Sequence, residues 1–488
     1  MVLDRKWSDH CPIFLHVNFL DYGPSSFKLY NSWLQTDGFD VVVRKAVADF
    51  TVDLRWSKFL TFKNKLKFLK TRIREWNVAT RVTAEGKKVV CEDRLHEIDE
   101  IIDRGDVSAN LVAERRRLTQ EIGDITKPRS LDIVQKAKVK WSVEGDENYA
   151  FFHGMVEKKR RQMTVHGISV GGEWVTNPVA VKKAFFDFYA AKFQPFNGVP
   201  ISTRSSYFRN IGTVSATNLD AAFSPDEIKR AVWDCGGDRA PGPDGFTFKF
   251  LKQYWELFGE DVMGFVQEFH SRCAIPVGCN SSFITLIPKV ESPLFIKDYR
   301  PISLIGLQFK VIAKLLANRL APILPDVIGF EQSAFLKGRQ ILDGPLMVSE
   351  LINWFKMKKK KLLVFKVDFE KAYDSVSWDY NDKMLEFLGF GSRWRGWIQA
   401  LFRNARSSVL VNGSPTEEFQ LLRGLRQGDP LSPFLFIVAM EGLHVAMEEA
   451  VSHQLFRSFP LDMEGLAISH LFYADDALFL GEWDNHNI

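Results

Sequence analysis

The sequence predicts a protein of the α+β class, in which a mainly α-helical region precedes a region of mixed helices and strands. Between about residues 39 and 152, glycine is sparse and apolar residues recur at steps of three and four, which is the period of amphipathic helices. From about residue 225 onward, helical and strand patterns alternate irregularly, as in layered α+β proteins rather than doubly wound ones. A chain of 488 residues is long enough for about two to four domains.

The composition is that of a globular protein and excludes several functional classes. Hydrophobic residues make up 46% and charged residues 25%, so disorder is not expected to dominate. Since no apolar signal core and no uncharged run of membrane-spanning length is present, we expect a soluble protein without a membrane partner. The five cysteines lack CxxC pairs and histidines at zinc-finger spacing, which favours a reducing compartment over a disulfide scaffold or a zinc site.

Basic residues form groups along the chain, although the net charge is only +4. Such groups can neutralise the phosphates of a nucleic acid, while a solvated helix face or loop is the alternative for any one of them. The groups are Lys63, Lys65, Lys67, Lys70, Arg72 and Arg74; Lys158, Lys159, Arg160 and Arg161; and Lys356, Lys358, Lys359, Lys360 and Lys361.

The helical region is expected to contain long helices packed against each other. Gly105 with Asp106 is expected to turn one helix back on the next, and Pro128 to end a segment. This pattern is consistent with two functions: a basic arm that binds RNA, or an antiparallel helical spacer. The apolar positions that predict the packed face are Leu95, Ile98, Ile102, Leu111, Leu118, Ile122 and Ile125.

Shorter patterns predict the neighbouring elements. Alternating apolar residues at 13–19 predict a strand. Gly171 and Gly172 predict a hairpin turn, and Ser224 followed by Pro225 predicts the N-cap and first turn of a helix.

Two stretches place aspartates at the ends of predicted strands. The apolar run 362–367 ends at Asp368, where a carboxylate could hold a metal ion or serve as a turn or capping residue. Ala474, Asp475 and Asp476 predict the tip of a β-hairpin, and adjacent carboxylates favour a nearby divalent cation, with a solvated turn as the alternative. Together the three aspartates describe a site for two Mg²⁺ ions about 4 Å apart, as phosphoryl transfer to a 3′-hydroxyl requires.

These stretches resemble the first and third palm motifs of reverse transcriptases, the second stretch being the Tyr-Ala-Asp-Asp box at 473–476. The segment 423–434 is similar to the Gln-Gly-Asp-Pro-Leu-Ser-Pro box of non-LTR retrotransposon and group II intron enzymes. The motifs occur in the family's order over about residues 225 to 482, so the chain is identified as a plant-like, LINE-type (non-LTR) reverse transcriptase. The other matches are Ala240-Pro241-Gly242-Pro243-Asp244-Gly245, Leu286-Ile287-Pro288-Lys289, the segment 298–304, and Gln332-Ser333-Ala334-Phe335 with Gly338-Arg339.

The resemblance implies a right-hand polymerase with fingers and an incomplete palm, and RNA-directed DNA polymerase activity. It implies that Lys289 and Arg300 contact the triphosphate of the incoming nucleotide. Gln427 and Gly428 would let the backbone approach the nucleotide and the template base. Tyr373 occupies the steric-gate position, where a bulky ring would clash with a ribose 2′-hydroxyl and favour deoxynucleotides. A surface charge is the alternative for each basic residue, and a core aromatic for the tyrosine.

The implied partners are an RNA template, a DNA primer or target, and dNTPs, with two Mg²⁺ ions that Mn²⁺ could replace. The family acts at chromosomal DNA, which implies a nuclear or cytoplasmic location. Two other functions stay open: a decayed remnant that only binds RNA, and an RNA-directed RNA polymerase, against which Tyr373 and Ala474 argue. Asn381, where an apolar residue would suit a helix, is interpreted as a sign of decay. The sequence predicts no oligomeric state.

Two further matches precede the polymerase motifs. Asp9 and His10 lie in a box that resembles the end of apurinic-type endonucleases, in which the histidine acts as general base or stabilises the transition state. The segment 141–153 resembles one that plant members carry before the polymerase, with Tyr149 where threonine is common.

The expected domains are an endonuclease remnant at 1–30, a basic helical linker at 31–165, a connecting region at 166–224, and fingers and palm at 225–488. We expect truncation at both ends, without a thumb. This arrangement predicts no endonuclease activity and weak or no polymerase activity for the polypeptide alone.

Overall fold

The computed structural model describes residues 20–105, 107–137, 158, 161–195, 205–460, 467–484 and 487, and the statements below concern these residues. The helices are α1 (Phe39–Asp49), α2 (Lys58–Asp103), α3 (Ala109–Ala137), α4 (Pro178–Lys192), α5 (Gly212–Leu219), α6 (Pro225–Asp234), α7 (Phe248–Gln253), α8 (Trp255–Arg272), α9 (Leu307–Leu320), α10 (Leu324–Val327), α11 (Asp343–Lys358), α12 (Ala372–Ser375), α13 (Trp378–Phe387), α14 (Ser392–Phe402) and α15 (Ser432–Ser452). The strands are β1 (Ile168–Val170), β2 (Glu173–Val175), β3 (Ser281–Pro288), β4 (Tyr299–Ile305), β5 (Leu362–Asp368), β6 (Arg406–Val411), β7 (Ser414–Pro415), β8 (Phe419–Gln420), β9 (Phe459–Pro460), β10 (Ala467–Ile468), β11 (His470–Tyr473) and β12 (Asp476–Glu482). This content confirms the α+β class.

Helices α2 and α3 form a hairpin that turns at Gly105, as the apolar spacing predicts. Helix α3 runs on to Ala137, so the prediction that Pro128 ends a segment is wrong. A helix can continue through a proline at the loss of one backbone hydrogen bond, provided that the rest of the helix is stable enough. The predicted apolar residues that pack between the two helices are Leu95, Ile98, Ile102, Leu111, Leu118 and Ile122.

The first half of α2 belongs to the largest core of the molecule. Phe59 and Phe62 of α2 are fully buried, and their rings lie against Phe258 and Phe265 of α8. Burying one such side chain contributes about 1.5–3 kcal/mol. This half of α2 is therefore a core element and not a free arm.

A five-stranded mixed sheet has the order β4-β3-β6-β7, and β8 also pairs with β6. Strands β3 and β6 are parallel, and the remaining pairs are antiparallel. Helix α4 packs against this sheet through Phe185 and Tyr189, in a cluster with Ile284 and Val409.

A separate three-stranded antiparallel sheet has the order β11-β12-β5. Helix α11 covers part of one face, where Leu351 and Phe355 pack with Leu480. The other face joins the largest core through Phe472 and Ala477. Both faces are thus supported, which fixes the strand ends that carry the predicted aspartates.

Local structure agrees with several sequence predictions. Strands β1 and β2 form the hairpin expected at Gly171 and Gly172, and Ser224 caps α6 by accepting a hydrogen bond from the N–H of Glu227 (3.2 Å). Asn381 is fully buried, and its amide nitrogen donates to the carbonyl of Leu435 (2.7 Å), while its Oδ1 has no hydrogen-bond partner among the described residues. Its interpretation as a sign of decay stays a prediction. None of the described helices combines the length and the apolar character needed to cross a membrane.

Candidate functional site

The three aspartates predicted as metal ligands lie at one end of the three-stranded sheet. Asp368 is the last residue of β5 and is directly opposite Asp476 on β12. Because Tyr473 pairs with Asp476, only Ala474 and Asp475 form the turn between β11 and β12. The antiparallel register therefore brings together carboxylates that are far apart in the sequence.

The turn that carries Asp475 is held by a buried glutamine. Ala474 has a φ of 53°, a left-handed conformation that costs a non-glycine residue about 1 kcal/mol. Its backbone N–H donates to Oε1 of Gln332 (3.0 Å), and the same oxygen accepts from the N–H of Ala334 (3.1 Å). Gln332 is 2% exposed and forms a parallel bridge with Phe472. From the sequence, Gln332 was one letter of a motif without an assigned role.

Arg339, from the same motif, fixes the loop that presents Gln332. Its guanidinium donates to the carbonyl oxygens of Gln332 (2.6 Å), Ile328 (2.9 Å) and Gly329. Burial lowers the pKa of Arg339, and the nearby charge of Glu441 acts in the opposite direction. A buried charged donor that satisfies several carbonyls stabilises an irregular loop strongly.

A cavity of about 400 Å³ connects the aspartates with the five-stranded sheet. Asp368 and Asp475 line it, whereas Asp476 forms an exposed ion pair with Lys366 (3.0 Å). Hydrogen bonding to Asp476 raises the pKa of Lys366, and the charge of Asp368 adds to this effect. The other predicted site residues that line the cavity are Lys289, Arg300, Tyr373 and Gln427.

The hairpin of β3 and β4 forms the basic wall of the cavity. Arg300 lies opposite Ile287, and the backbone N–H of Lys289 donates to the carbonyl of Asp298 (2.8 Å), so both basic residues lie at the same end. Both side chains are exposed, and within the described part of the chain neither forms a salt bridge. Two such cations beside a cavity suit an anionic ligand.

Lys192 is a further cation of the cavity, and no sequence pattern predicted it. Lys192, at the end of α4, forms an ion pair with the buried Asp374. Burial lowers the pKa of Lys192, while the charge of Asp374 opposes that shift. The pair fastens the segment that follows β5 to α4. Only the tertiary contact reveals it, because no spacing pattern links the two residues.

Tyr373 lines the cavity and also packs in the core. Its ring stacks on Phe436, with centroids 4.7 Å apart and an interplanar angle of 12°. Burial, together with the charge of Asp475, raises the pKa of Tyr373 to about 12, so its hydroxyl is neutral at pH 7. Tyr373 is thus a core aromatic residue that also lines the cavity, because its stacking on Phe436 holds the ring there.

Gln427 and Gly428 connect the cavity to strand β4. Gln427 lines the cavity, and its carbonyl accepts from the N–H of Ser303 (2.8 Å). Gly428 has a φ of 107°, and a Cβ there would lie 3.1 Å from the carbonyl oxygen of Ser303, so this conformation favours glycine. Gly428 is not among the described residues that line the cavity.

The flanking residues of this segment anchor it at both ends. Arg426 is buried over the ring of Phe309 and donates to Oδ1 of Asn280 (2.7 Å). Asp429 accepts from the N–H of Leu431 (3.2 Å) and the hydroxyl of Ser432 (3.0 Å) at the start of α15. These contacts place Gln427 and Gly428 between two fixed points. The endonuclease-like Asp9 and His10, the strand at 13–19 and the segment 141–153 lie outside the described residues.

Comparison with known proteins identifies the class to which this site belongs. Residues 287–486 match the family described as reverse transcriptase (RNA-dependent DNA polymerase). This range contains both the aspartates and the basic hairpin residues. The chain therefore carries a reverse transcriptase domain.

Two similar proteins indicate which kind of reverse transcriptase this domain resembles. The chain is 24% identical, over 98% of its length, to the transposon TX1 uncharacterized 149 kDa protein of Xenopus laevis, of which it covers 36%. It is 28% identical, over 54% of its length, to the retrovirus-related Pol polyprotein from type-1 retrotransposable element R2 of Nasonia vitripennis, of which it covers 24%. The reverse transcriptase domain of this chain is therefore similar to those of non-LTR retrotransposon proteins. The chain spans about a third of the first relative and a quarter of the second.

A solved structure of apo telomerase from Candida tropicalis, truncated from the C-terminal domain, covers 72% of this chain at 10% identity, and the chain covers 84% of it. Its TM-score of 0.32 is too low to support a conclusion.

Proposed function

We propose that this domain catalyses RNA-directed DNA synthesis, in which a dNTP transfers its nucleotide to a primer 3′-hydroxyl. The observation that carries the proposal is the cavity shared by Asp368, Asp475, Lys289, Arg300 and Tyr373. It combines carboxylates, cations and an aromatic ring, which match the metal ions, the triphosphate and the sugar of such a reaction.

The aspartates fit a site for divalent cations. Asp368 is opposite Asp476, and Asp475 directly precedes Asp476 in the turn, so an all-oxygen donor set lies at one strand end. Such a set suits Mg²⁺, with Mn²⁺ as a possible substitute. Two Mg²⁺ ions bound there would activate the 3′-hydroxyl and stabilise the leaving pyrophosphate.

The other residues of the cavity bind and select the nucleotide. Lys289 and Arg300 attract the triphosphate, whose negative charge they match. The fixed ring of Tyr373 excludes a ribose 2′-hydroxyl. Gln427, held against β4 by its own carbonyl, contacts the nucleotide or the template base beside the cavity.

The proposed partners are an RNA template, a DNA primer or target, and dNTPs. In this proposal residues 225–488 act as fingers and palm, 166–224 connect, 31–165 form a basic helical linker, and 1–30 belong to an endonuclease-type domain. Retrotransposition acts on chromosomal DNA, which supports a nuclear or cytoplasmic location with action in the nucleus.

Primer extension on an RNA template, with a DNA primer, dNTPs and Mg²⁺, tests the proposal. We expect incorporation that disappears in the double variant Asp475→Ala/Asp476→Ala. The variant Asp49→Ala, which changes an exposed aspartate of α1, is the matched control and should retain activity. Retained incorporation in the double variant would contradict the proposed site.

Two other outcomes identify the alternative functions. Loss of all incorporation with intact RNA binding would favour a remnant that only binds RNA. Preferential use of NTPs over dNTPs in the same assay would favour an RNA-directed RNA polymerase.

A further inference from the structure

A second group of side chains suited to metal binding lies beneath the catalytic hairpin. Glu331, from the loop before Gln332, meets His444 of α15 and His470 of β11, and their ligand atoms all lie within 4.8 Å of one another. Side chains alternate along a strand, so His470 faces the opposite side of the sheet from Asp476. The group is therefore separate from the catalytic aspartates.

The contacts within the group leave one carboxylate oxygen unsatisfied. Nδ1 of His444 lies 2.7 Å from Nε2 of His470, and both rings are buried. Oε2 of Glu331 is 3.4 Å from the same Nδ1 of His444, and it is buried without a hydrogen-bond partner in the described structure. A buried oxygen of this kind is costly unless a donor or a cation satisfies it.

A neighbouring hydroxyl orients the imidazole of His470. The hydroxyl of Ser469 lies 2.8 Å from its Nδ1. A hydrogen bond of this type fixes the ring orientation of a metal-binding histidine.

We propose that Glu331, His444 and His470 bind one transition-metal ion, with Zn²⁺ as the expected occupant. Two imidazoles and one carboxylate suit Zn²⁺, whereas the oxygen-only aspartates suit Mg²⁺. The ion ties three separate segments together: the loop that presents Gln332, helix α15, and strand β11. Since Gln332 holds the turn of Asp475, the metal is a structural support of the catalytic hairpin.

Metal analysis of the purified full chain tests this proposal. After dialysis against metal-free buffer, we expect about one zinc ion per wild-type chain by mass spectrometry of the elements. The variants His470→Gln and Glu331→Gln should lose this zinc, while His453→Gln, at the exposed end of α15, should retain it. Replacement by Co²⁺ should give the visible absorption of a tetrahedral site in the wild type and in His453→Gln alone.

A wild-type chain that holds no zinc and binds neither added Zn²⁺ nor Co²⁺ would overturn the proposal. Equal metal content in all three variants would do the same. Because His470→Gln removes a core residue, circular dichroism is recorded for each variant, and the partly exposed Glu331→Gln provides the test in a chain with an intact fold. None of these measurements depends on polymerase activity, so their failure would leave the proposed function untouched.

Discussion

Gln332 and Ala474 show how a residue outside the cavity can hold the turn that carries Asp475, a proposed metal ligand. The amide oxygen of Gln332 accepts the N–H of a residue in a left-handed conformation, and Asp475 follows directly in the chain. If that hydrogen bond is lost, the turn can relax and Asp475 can move. A displacement of about 1 Å in a reacting geometry can reduce a rate by roughly 10²-fold.

The variant Gln332→Ala is therefore expected to lower kcat for dNTP incorporation by roughly 10- to 100-fold, with a smaller change in KM. It should also lower the free energy of unfolding by about 1–3 kcal/mol, because buried donors lose their acceptor. Gln332→Glu keeps an acceptor oxygen and should restore part of kcat. The exposed Gln120→Ala is the matched control. An unchanged kcat in Gln332→Ala would contradict this positioning role.

Tyr373 provides a test of sugar selection at the same scale. Replacement by alanine removes the ring that stacks on Phe436, so NTPs should gain on dNTPs by roughly 10- to 100-fold in relative kcat/KM. Tyr373→Phe keeps the ring and should keep the selectivity. Competition between dCTP and CTP in single-nucleotide extension measures both variants. Equal selectivity in the alanine and phenylalanine variants would show that the ring is not the gate.

At the scale of elements, the start of α15 links the cavity to the core. Asp429 is buried at this helix end and accepts from the N–H of Leu431 and the hydroxyl of Ser432. Burial raises the pKa of Asp429 to about 6, while those hydrogen bonds and the charge of Arg426 oppose the shift. The position of Gln427 thus depends on an ionisable group in a desolvated site.

A pH dependence of stability follows from Asp429. Because folding raises this pKa above its unfolded value of 3.8, the folded chain holds the proton to higher pH. The stabilisation is complete below about pH 4 and is lost as the pH rises through about 6, an effect on the order of 3 kcal/mol. Asp429→Asn should remove this change, and the exposed Asp379→Asn should not. Thermal unfolding from pH 4 to 7 checks it; parallel profiles for wild type and Asp429→Asn would contradict it.

At the scale of the whole molecule, the first half of helix α2 lies partly in the core and partly beside a surface cavity. This half shares the largest core, where Lys65 pairs with Asp261 (2.7 Å). Lys67 and Arg74 of the same half line a surface cavity of about 370 Å³. The basic group seen in the sequence is therefore divided between internal ion pairing and an exposed surface.

This division yields a prediction for RNA binding. If the surface contacts RNA phosphates, Lys67→Ala should weaken binding and reduce the slope of log affinity against log salt by roughly 0.7–0.9. Lys87→Ala, in the exposed far half of α2, is the matched control. Filter binding over a range of salt concentrations measures both. Identical slopes for the two variants would favour the helical spacer over the RNA-binding arm.

Much of the local structure could be predicted from the sequence. The strand that ends at Asp368, the hairpin at Asp475, the cap at Ser224 and the α2–α3 packing all follow from periodicity, caps and turns that act over a few residues. Pro128 was misjudged because the surrounding helix outweighs one lost hydrogen bond. The hydrogen bond of the buried Asn381 could not be predicted, because its partner Leu435 lies on a helix that is distant in the sequence.

By itself, the sequence determined the α+β class, the residue types of the candidate site and their resemblance to reverse transcriptases. Only the tertiary structure decided that Asp368 pairs with Asp476, that Lys192 meets Asp374, and that Gln332 holds the turn. It also assembled the group of Glu331, His444 and His470, which the cysteine pattern could not reveal because the group uses no cysteine. The physical reason is that strand register and helix packing bring together side chains from distant segments, and local sequence patterns do not specify which segments meet.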